Sequence, residues 1–395
     1  MRWKLLVAVP LLCLLVAFAG RAFVGQVLVL RSGSMEPDLL GTGTSRDWVL
    51  VLYGAPSEWQ RGDLAVFRQS GAEAPAVKRV AGLPSESAQL SGGDLFIDGA
   101  RRSILGDEGL WTPWWGPGAE PISEWFERDD SEDGPWSQPE PGVERLDALE
   151  IGSSSNRGSM FLRYDVDLGY LRPDGTRTRE TAQANDLRVR LDLRLNDEPI
   201  EEAEPGIVRF ELVEEADQFR LEVQPIAGGS AEVRLARRSG NQGGFDVLGT
   251  ETVQLPVGAW QALEFSNRDN RLGVHLNGVD LLQVDYDENE AYRGDLPIGA
   301  KSVGPRVAIG GSRVSVDLRG IAVDRDAYYL TASAFGDYGI ERPLRLGPDE
   351  LFLLGDHSSD SLDSRRFGPV SESEVVGRAA AIVWPPSRWR RLGRR

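Results

Sequence analysis

From Leu187 to Leu195 the chain reads LRVRLDLRL, apolar at every second residue for nine residues. Side chains alternate across a strand, so this run has one apolar and one charged face only as a strand; wound as a helix it would scatter its leucines around the axis. The same alternation returns in VRFELV (208–213), FRLEVQ (219–224), WQALEF (260–265) and RVSVDL (313–318). In RLGVHLNGVDLLQVDY (271–286), Asn277-Gly278 lies between two alternating runs, the strongest short-range signal for a type I′ hairpin. Residues 153–330 are therefore expected to form an inserted antiparallel β-sandwich or jelly roll.

Shorter β-type runs precede it: Val27–Leu30, Trp48–Leu52, Leu64–Phe67, Ala76–Val80 and Leu95–Ile97, separated by turn residues. They predict a small all-β unit over 27–100, which the apolar runs LFLLGD and AAAIVWPP within 331–386 would complete. The Trp-, Pro-, Gly- and acid-rich stretch 101–152 has no sustained periodicity and is expected to be an irregular junction. A basic tail, 387–395, holds RWRRLGRR, with five arginines in eight residues. It is expected to be a solvated terminus, with contact to anionic lipid head groups as the alternative. The fold class is mainly β, and 395 residues suit two domains or one domain carrying a large insertion.

The first 26 residues differ from the rest. Leu5 to Gly20 is an uncharged run of sixteen residues, preceded by Arg2 and Lys4 and followed by Arg21. As a helix it spans about 24 Å, a little short of a ~30 Å hydrocarbon core, and Ala22–Val24 can complete the crossing while Arg21 snorkels. A single-pass membrane anchor over 1–26 is expected, with the N-terminus cytoplasmic and the remainder outside, because flanking cations stay on the cytoplasmic side. The alternative is a cleaved secretory signal, since Ala17-Phe18-Ala19 resembles a processing site.

Charge and cysteine content remove several function classes. The 61 acidic residues outnumber 44 basic ones, giving a net charge of −17, against a nucleic-acid partner. The one cysteine, Cys13, lies in the apolar run, so the fold has no internal disulfide and no thiolate cage. No metal site and no cofactor are expected.

Directly after the apolar segment comes Arg31-Ser-Gly-Ser-Met-Glu-Pro37. A serine hydroxyl is a weak nucleophile until a base takes its proton, and only two histidines are present. His275 sits between Val274 and Leu276 in an alternating strand and so faces away from the apolar side, as a sheet residue does. His357, in GDHSSDSLDSR, could complete a triad. Lys78, in APAVKRVAGLP, is the other candidate. A lysine of pKa ~10.4 is useless as a base at neutral pH, but burial among apolar residues can depress it by several units. An edge-strand lysine remains the plain alternative.

Four segments, in order, resemble the type I signal peptidases, membrane-anchored Ser/Lys endopeptidases that remove signal peptides. They are SGSMEPDL (32–39), RGDLAVF (61–67), VKRVAGLP (77–84) and GDHSSDSLDSRRFG (355–368), and GRAAAIVWPP (377–386) fits the family's closing strand. The resemblance implies a signal-peptidase-type β catalytic core with Ser34 as nucleophile and Lys78 as general base. It implies that Ser361 orients the lysine, that Asp356 pairs with Arg79 and Asp363 with Arg365, and that the Ser32 hydroxyl and Ser34 N–H face the oxyanion. The chain departs from the family at Asp38, usually threonine, at Ser85-Glu86, usually glycine and an acid, and at His357-Ser358-Ser359, usually Asn-Arg-Asp.

By that resemblance the partners are exported preproteins, cleaved after an Ala-x-Ala signal at the outer face of the cytoplasmic membrane, and the lipid bilayer. The sandwich could bind a glycan or a protein, or act as a spacer. Two other readings stand beside this one: a processing peptidase with few substrates, and a catalytically degenerate, membrane-tethered binding module.

Overall fold

The computed structural model describes residues 25–393, apart from 44–45, 55, 57, 70, 72–73, 92, 105–110, 116–125, 128–133, 149–158, 163–185, 197–204, 215–216, 241–242, 288–306, 327, 332–335 and 341. The expected anchor falls almost wholly outside these residues. Among the described residues no helix is long and apolar enough to cross a membrane. Gly25 and Gln26, which the sequence assigns to the anchor, instead open the strand Gly25–Val29 and pair with Leu52 and Val51. The strands approach so closely there that a Cβ on Gly25 would overlap the Val51 carbonyl oxygen.

Residues 1–110 with 327–395 form one compact unit, and 111–326 form another. The first unit is organised by one sheet whose strands run, in spatial order, Gly25–Val29, Trp48–Tyr53, Val375–Trp384, Leu64–Phe67, Ala76–Gly82, Glu350–Leu354 and Val370–Ser371. The short strand Arg390–Arg391 pairs with Ala381 and Ile382. Strands from the two ends of the chain are thus interleaved. Leu64–Phe67 and Ala76–Gly82 are buried along nearly their whole length, since apolar residues cover both faces. On one face pack Leu30, Met35, Leu39, Val49, Val51, Leu64, Val66, Val77, Ala379, Ile382 and Leu392. A second cluster holds Trp59, Ala65, Phe67, Val80, Leu351, Leu353 and Val370. A smaller sheet, Leu344–Arg345, Ser87–Ser91, Asp94–Ile97 and Ala100–Arg101, contributes Ala88, Leu90, Leu95 and Ile97 to a third cluster with Phe352 and Leu354.

In the second unit the strand Leu187–Leu195 buries Leu187, Val189, Leu191, Leu193 and Leu195, as its alternation predicts, between Gln261–Arg268 and Ser315–Arg325. Two antiparallel sheets make up this unit. Asn277 and Gly278 both have positive φ, +53° and +77°, and turn Arg271–Leu276 back onto Val279–Asp285 as a primed hairpin requires. The 101–152 stretch is more regular than its sequence indicates. It contributes Thr112–Trp115, Trp136–Glu140 and Val143–Asp147 to the sheet, the first and last pairing with Ser315–Arg325. Segments this short show no period of their own; hydrogen bonding to a long neighbour supplies the regularity.

Candidate active site

Met35 and Leu39 are both buried in the first core cluster, so the loop that follows Leu30 is pinned by its apolar residues and turns Ser34 back against the sheet. The loop is tied internally through Glu36. Its carboxylate, wholly buried, accepts the backbone N–H groups of Gly41 (3.3 Å) and Thr42 (2.9 Å) and the Thr42 hydroxyl (2.5 Å). Gly41 lies so close to Ser32 that a Cβ there would overlap the Ser32 backbone.

Lys78 stands in the interior of the sheet, opposite Ala65 on the neighbouring strand, and is only 3% exposed. The edge-strand alternative is thereby excluded. Its Nζ donates to Ser34 Oγ over 2.5 Å, and Ser34 is itself buried. Burial is the largest influence on the ammonium and lowers its pKa to about 8, against the opposing pull of Asp363, Asp356 and Asp360. At pH 7 a lysine of pKa about 8 is neutral roughly a tenth of the time, about 300-fold more than one at 10.5. The pair therefore has what proton abstraction from a serine requires: contact, and a base that is free of its own proton for an appreciable fraction of the time.

The surrounding residues fall into three groups. Ser32 Oγ lies 3.2 Å from Ser34 Oγ, on the open side of the loop. Arg79, next to Lys78, is held by Asp356 through two bonds of 2.8 and 2.6 Å and also donates to the Gly62 carbonyl at 3.0 Å. Burial opposes its charge, but Asp356 and Asp38 outweigh that and stabilise the guanidinium. Asp363 and Arg365, both fully buried, form a two-bond pair at 2.9 and 2.8 Å. Arg365 also reaches the Ser358 hydroxyl (2.6 Å) and carbonyl (2.8 Å), and the Gly355 N–H donates to Asp363 (3.0 Å). This network fixes the loop that carries Ser361. The Ser361 hydroxyl is buried yet makes no hydrogen bond, to Lys78 or to any other described residue. It packs instead against Gly355, where a Cβ would overlap it and stand 2.6 Å from the Ser34 carbonyl oxygen.

The two histidines belong to different units. His275 belongs to the second unit and bonds Asp280 through Nε2 at 2.8 Å. His357 is buried beside the nucleophile loop, its backbone N–H donating to the Ser34 carbonyl at 3.2 Å.

Several participants have no local signal in the sequence. Asp38, noted only as a departure, accepts from Arg79 (2.8 Å) and from Arg390 (2.5 Å). Burial pushes its pKa up, but the two arginines prevail and hold it below the usual carboxylate value. Glu86, another departure, pairs with Arg61 at 2.8 Å and caps the Leu83 N–H at 2.7 Å. Asp47 is buried and takes two bonds of 2.8 Å from Arg388, so this part of the basic tail is not simply a solvated terminus.

Residues 2–109 and 304–384, just under half of the chain, match the model of a family described as signal peptidase, peptidase S26. The chain is 51% identical over 51 residues to mitochondrial inner membrane protease subunit 2 of Danio rerio, covering 13% of this chain and 28% of that protein. It is 28% identical over 124 residues to signal peptidase I of Mycobacterium tuberculosis, covering 27% of this chain and 40% of that protein. The chain thus spans less than half the length of either relative. Among solved structures, an endo-beta-1,3-glucanase from Pyrococcus furiosus aligns with a TM-score of 0.35 at 12% identity, covering 56% of this chain and 97% of that one, too slight a likeness to bear on function.

Proposed function

We infer that this chain is a serine peptidase of the S26 signal-peptidase family, working at a membrane face by a Ser34–Lys78 dyad on the signal peptides of exported preproteins. The observation that carries the reading is the 2.5 Å contact between a buried lysine of lowered pKa and a buried serine hydroxyl, inside the matched segments. An extended peptide would lie along the site as an added strand, the two small side chains of its Ala-x-Ala end fitting shallow apolar pockets on the N-terminal side of the scissile bond. Neutral Lys78 takes the Ser34 proton as Oγ attacks the carbonyl carbon. The resulting oxyanion accepts from the Ser34 N–H and the Ser32 hydroxyl. Lys78 then gives its proton to the departing amine, the C–N bond breaks, and the acyl group remains on Ser34 as an ester. A water, deprotonated by Lys78, attacks that ester, and the proton returns to Ser34 as the product acid leaves. Every step is completed by side chains, main chain and water.

Purified protein in detergent, given a preprotein whose signal ends in Ala-x-Ala, tests the reading. Wild type should cleave at that site, and Ser34→Ala and Lys78→Met should not. Cleavage that survives either substitution, or a wild type that cleaves no preprotein, would sink it. The identity with an inner membrane protease subunit supports a narrower variant, a processing peptidase with few dedicated substrates. Profiling the N-termini of exported proteins after depletion separates a general activity from a dedicated one. A binding module without catalysis would have no use for a buried ammonium aimed at a serine. The 111–326 unit is read as a spacer sandwich.

A further inference from the structure

The segment after the last long strand carries two arginines, Arg388 and Arg390, two residues apart, and both turn back onto the loop that bears Ser34. Arg388 grips Asp47 with both carboxylate oxygens at 2.8 Å and reaches the Asp38 carbonyl at 3.0 Å. Arg390 reaches the same carbonyl at 2.7 Å and the Asp38 carboxylate at 2.5 Å. Asp38 passes the link on, because its other oxygen accepts from Arg79 at 2.8 Å, and Arg79 is bonded through the chain to Lys78. Asp47 completes the far end. It accepts the Leu40 N–H at 2.8 Å, and its own N–H donates to the Leu40 carbonyl at 2.8 Å. Leu392, just beyond, lies in the same apolar cluster as Met35 and Leu39.

We propose that Arg388 and Arg390, acting through Asp47 and Asp38, are a positioning clasp that holds the Ser34 loop in register with the Lys78 strand. Neither arginine touches the reacting atoms; both act through the loop. The geometry requires this division of labour. Ser34 sits on an irregular segment whose own backbone has no sheet to fix it, whereas Lys78 is fixed by two neighbouring strands. A proton transfer over one hydrogen bond is sensitive to displacements well under 1 Å, so the partner outside the sheet gains from a hold beyond its own apolar and Glu36 anchors. Asp38 is the joint between the two sides. A threonine there could not hold two guanidinium groups, so the clasp is a property of this chain's own residues.

The test uses the full chain in detergent micelles with Arg390→Ala, Asp38→Asn and Arg390→Lys. Amide hydrogen exchange over 33–42 is compared with exchange over Leu64–Phe67 and Ala76–Gly82. In Arg390→Ala and Asp38→Asn the loop amides should exchange about tenfold faster or more, as loss of a charged hydrogen bond implies, while the strand amides keep their protection. Arg390→Lys, which keeps the charge, should recover most of the loop protection. The kinetic arm rests on the function inferred above: kcat should fall about tenfold with KM within a factor of two. Unchanged loop exchange overturns the clasp. So does loss of protection in loop and strands by the same factor, which would make the arginines general props. If wild type cleaves nothing, the functional reading fails while the exchange comparison still decides the clasp.

Discussion

The backbone N–H of His357 donates to the carbonyl oxygen of Ser34 at 3.2 Å, so this buried histidine is joined to the serine by main chain. Any residue but proline at 357 can make that link. His357→Ala is therefore expected to keep cleavage within a factor of a few and to leave the pH profile in place, as measured by steady-state kinetics. A variant without activity would transfer the base role from Lys78 to His357.

As the base inferred above, Lys78 should make the rate rise with pH. Its folded pKa of about 8 lies below the 10.5 of an exposed lysine, so kcat/KM should climb through about pH 8 and level above it. The same shift has a consequence for stability. Between about 8 and 10.5 the unfolded chain holds a proton that the folded one has shed, so stability rises with pH across that window. Below it, burying the ammonium costs on the order of 3 kcal/mol. Lys78→Met should accordingly raise the thermal midpoint at pH 7 while removing activity, and calorimetry from pH 7 to 10 checks both signs.

Asp360 is exposed, and its carboxylate would stand 2.9 Å from a Cβ on Gly33. It raises the pKa of Lys78, as Asp363 and Asp356 do more strongly. Asp360→Asn should move the midpoint of the pH–rate profile to lower pH and, because the Lys78 ammonium loses a favourable charge, slightly lower the thermal stability at pH 7. A midpoint that stays or rises would remove Asp360 from the electrostatics of the site.

Asp363 and Arg365 are sealed from solvent, and cutting one partner strands the other's charge. Asp363→Ala should cost about 3–5 kcal/mol by chemical denaturation, well above what an exposed pair such as Arg271–Asp285 contributes. Equal losses at the two pairs would contradict the burial argument.

Gly355 has no room for a side chain between Ser361 and the Ser34 carbonyl. Gly355→Ala should push the nucleophile loop from its seat and lower kcat about a hundredfold, with a smaller effect on KM. Circular dichroism establishes that the sheet is retained.

The long strands were legible because their alternation exceeds anything a helix would tolerate; Leu187–Leu195 is bounded the same way in sequence and in space. Trp136–Glu140 and Val143–Asp147 were not, since each owes its regularity to pairing rather than to pattern. Lys78 could be singled out as a candidate from the small apolar residues around it. Its 2.5 Å approach to Ser34 could not, because it depends on how a loop is pinned by Met35 and Leu39. Asp38 and Arg390 are 352 positions apart, and no local rule of spacing joins a lone aspartate to an arginine at that distance. Ser361 shows another limit: the family resemblance assigns it to the lysine, and its buried hydroxyl makes no hydrogen bond among the described residues.

The interleaving of strands sets a clock on the catalytic unit. Lys78 lies between Leu64–Phe67 and Glu350–Leu354, and Leu64–Phe67 needs Val375–Trp384 at its other edge. Between the making of Lys78 and the making of Trp384 lie 306 residues. At the usual ~5–20 residues per second of synthesis, that interval is roughly 15–60 s. Throughout it the nascent chain carries its serine and its lysine without the strands that seal them together. On the function inferred above, the seat that brings Ser34 and Lys78 together is complete only once Trp384 has been made.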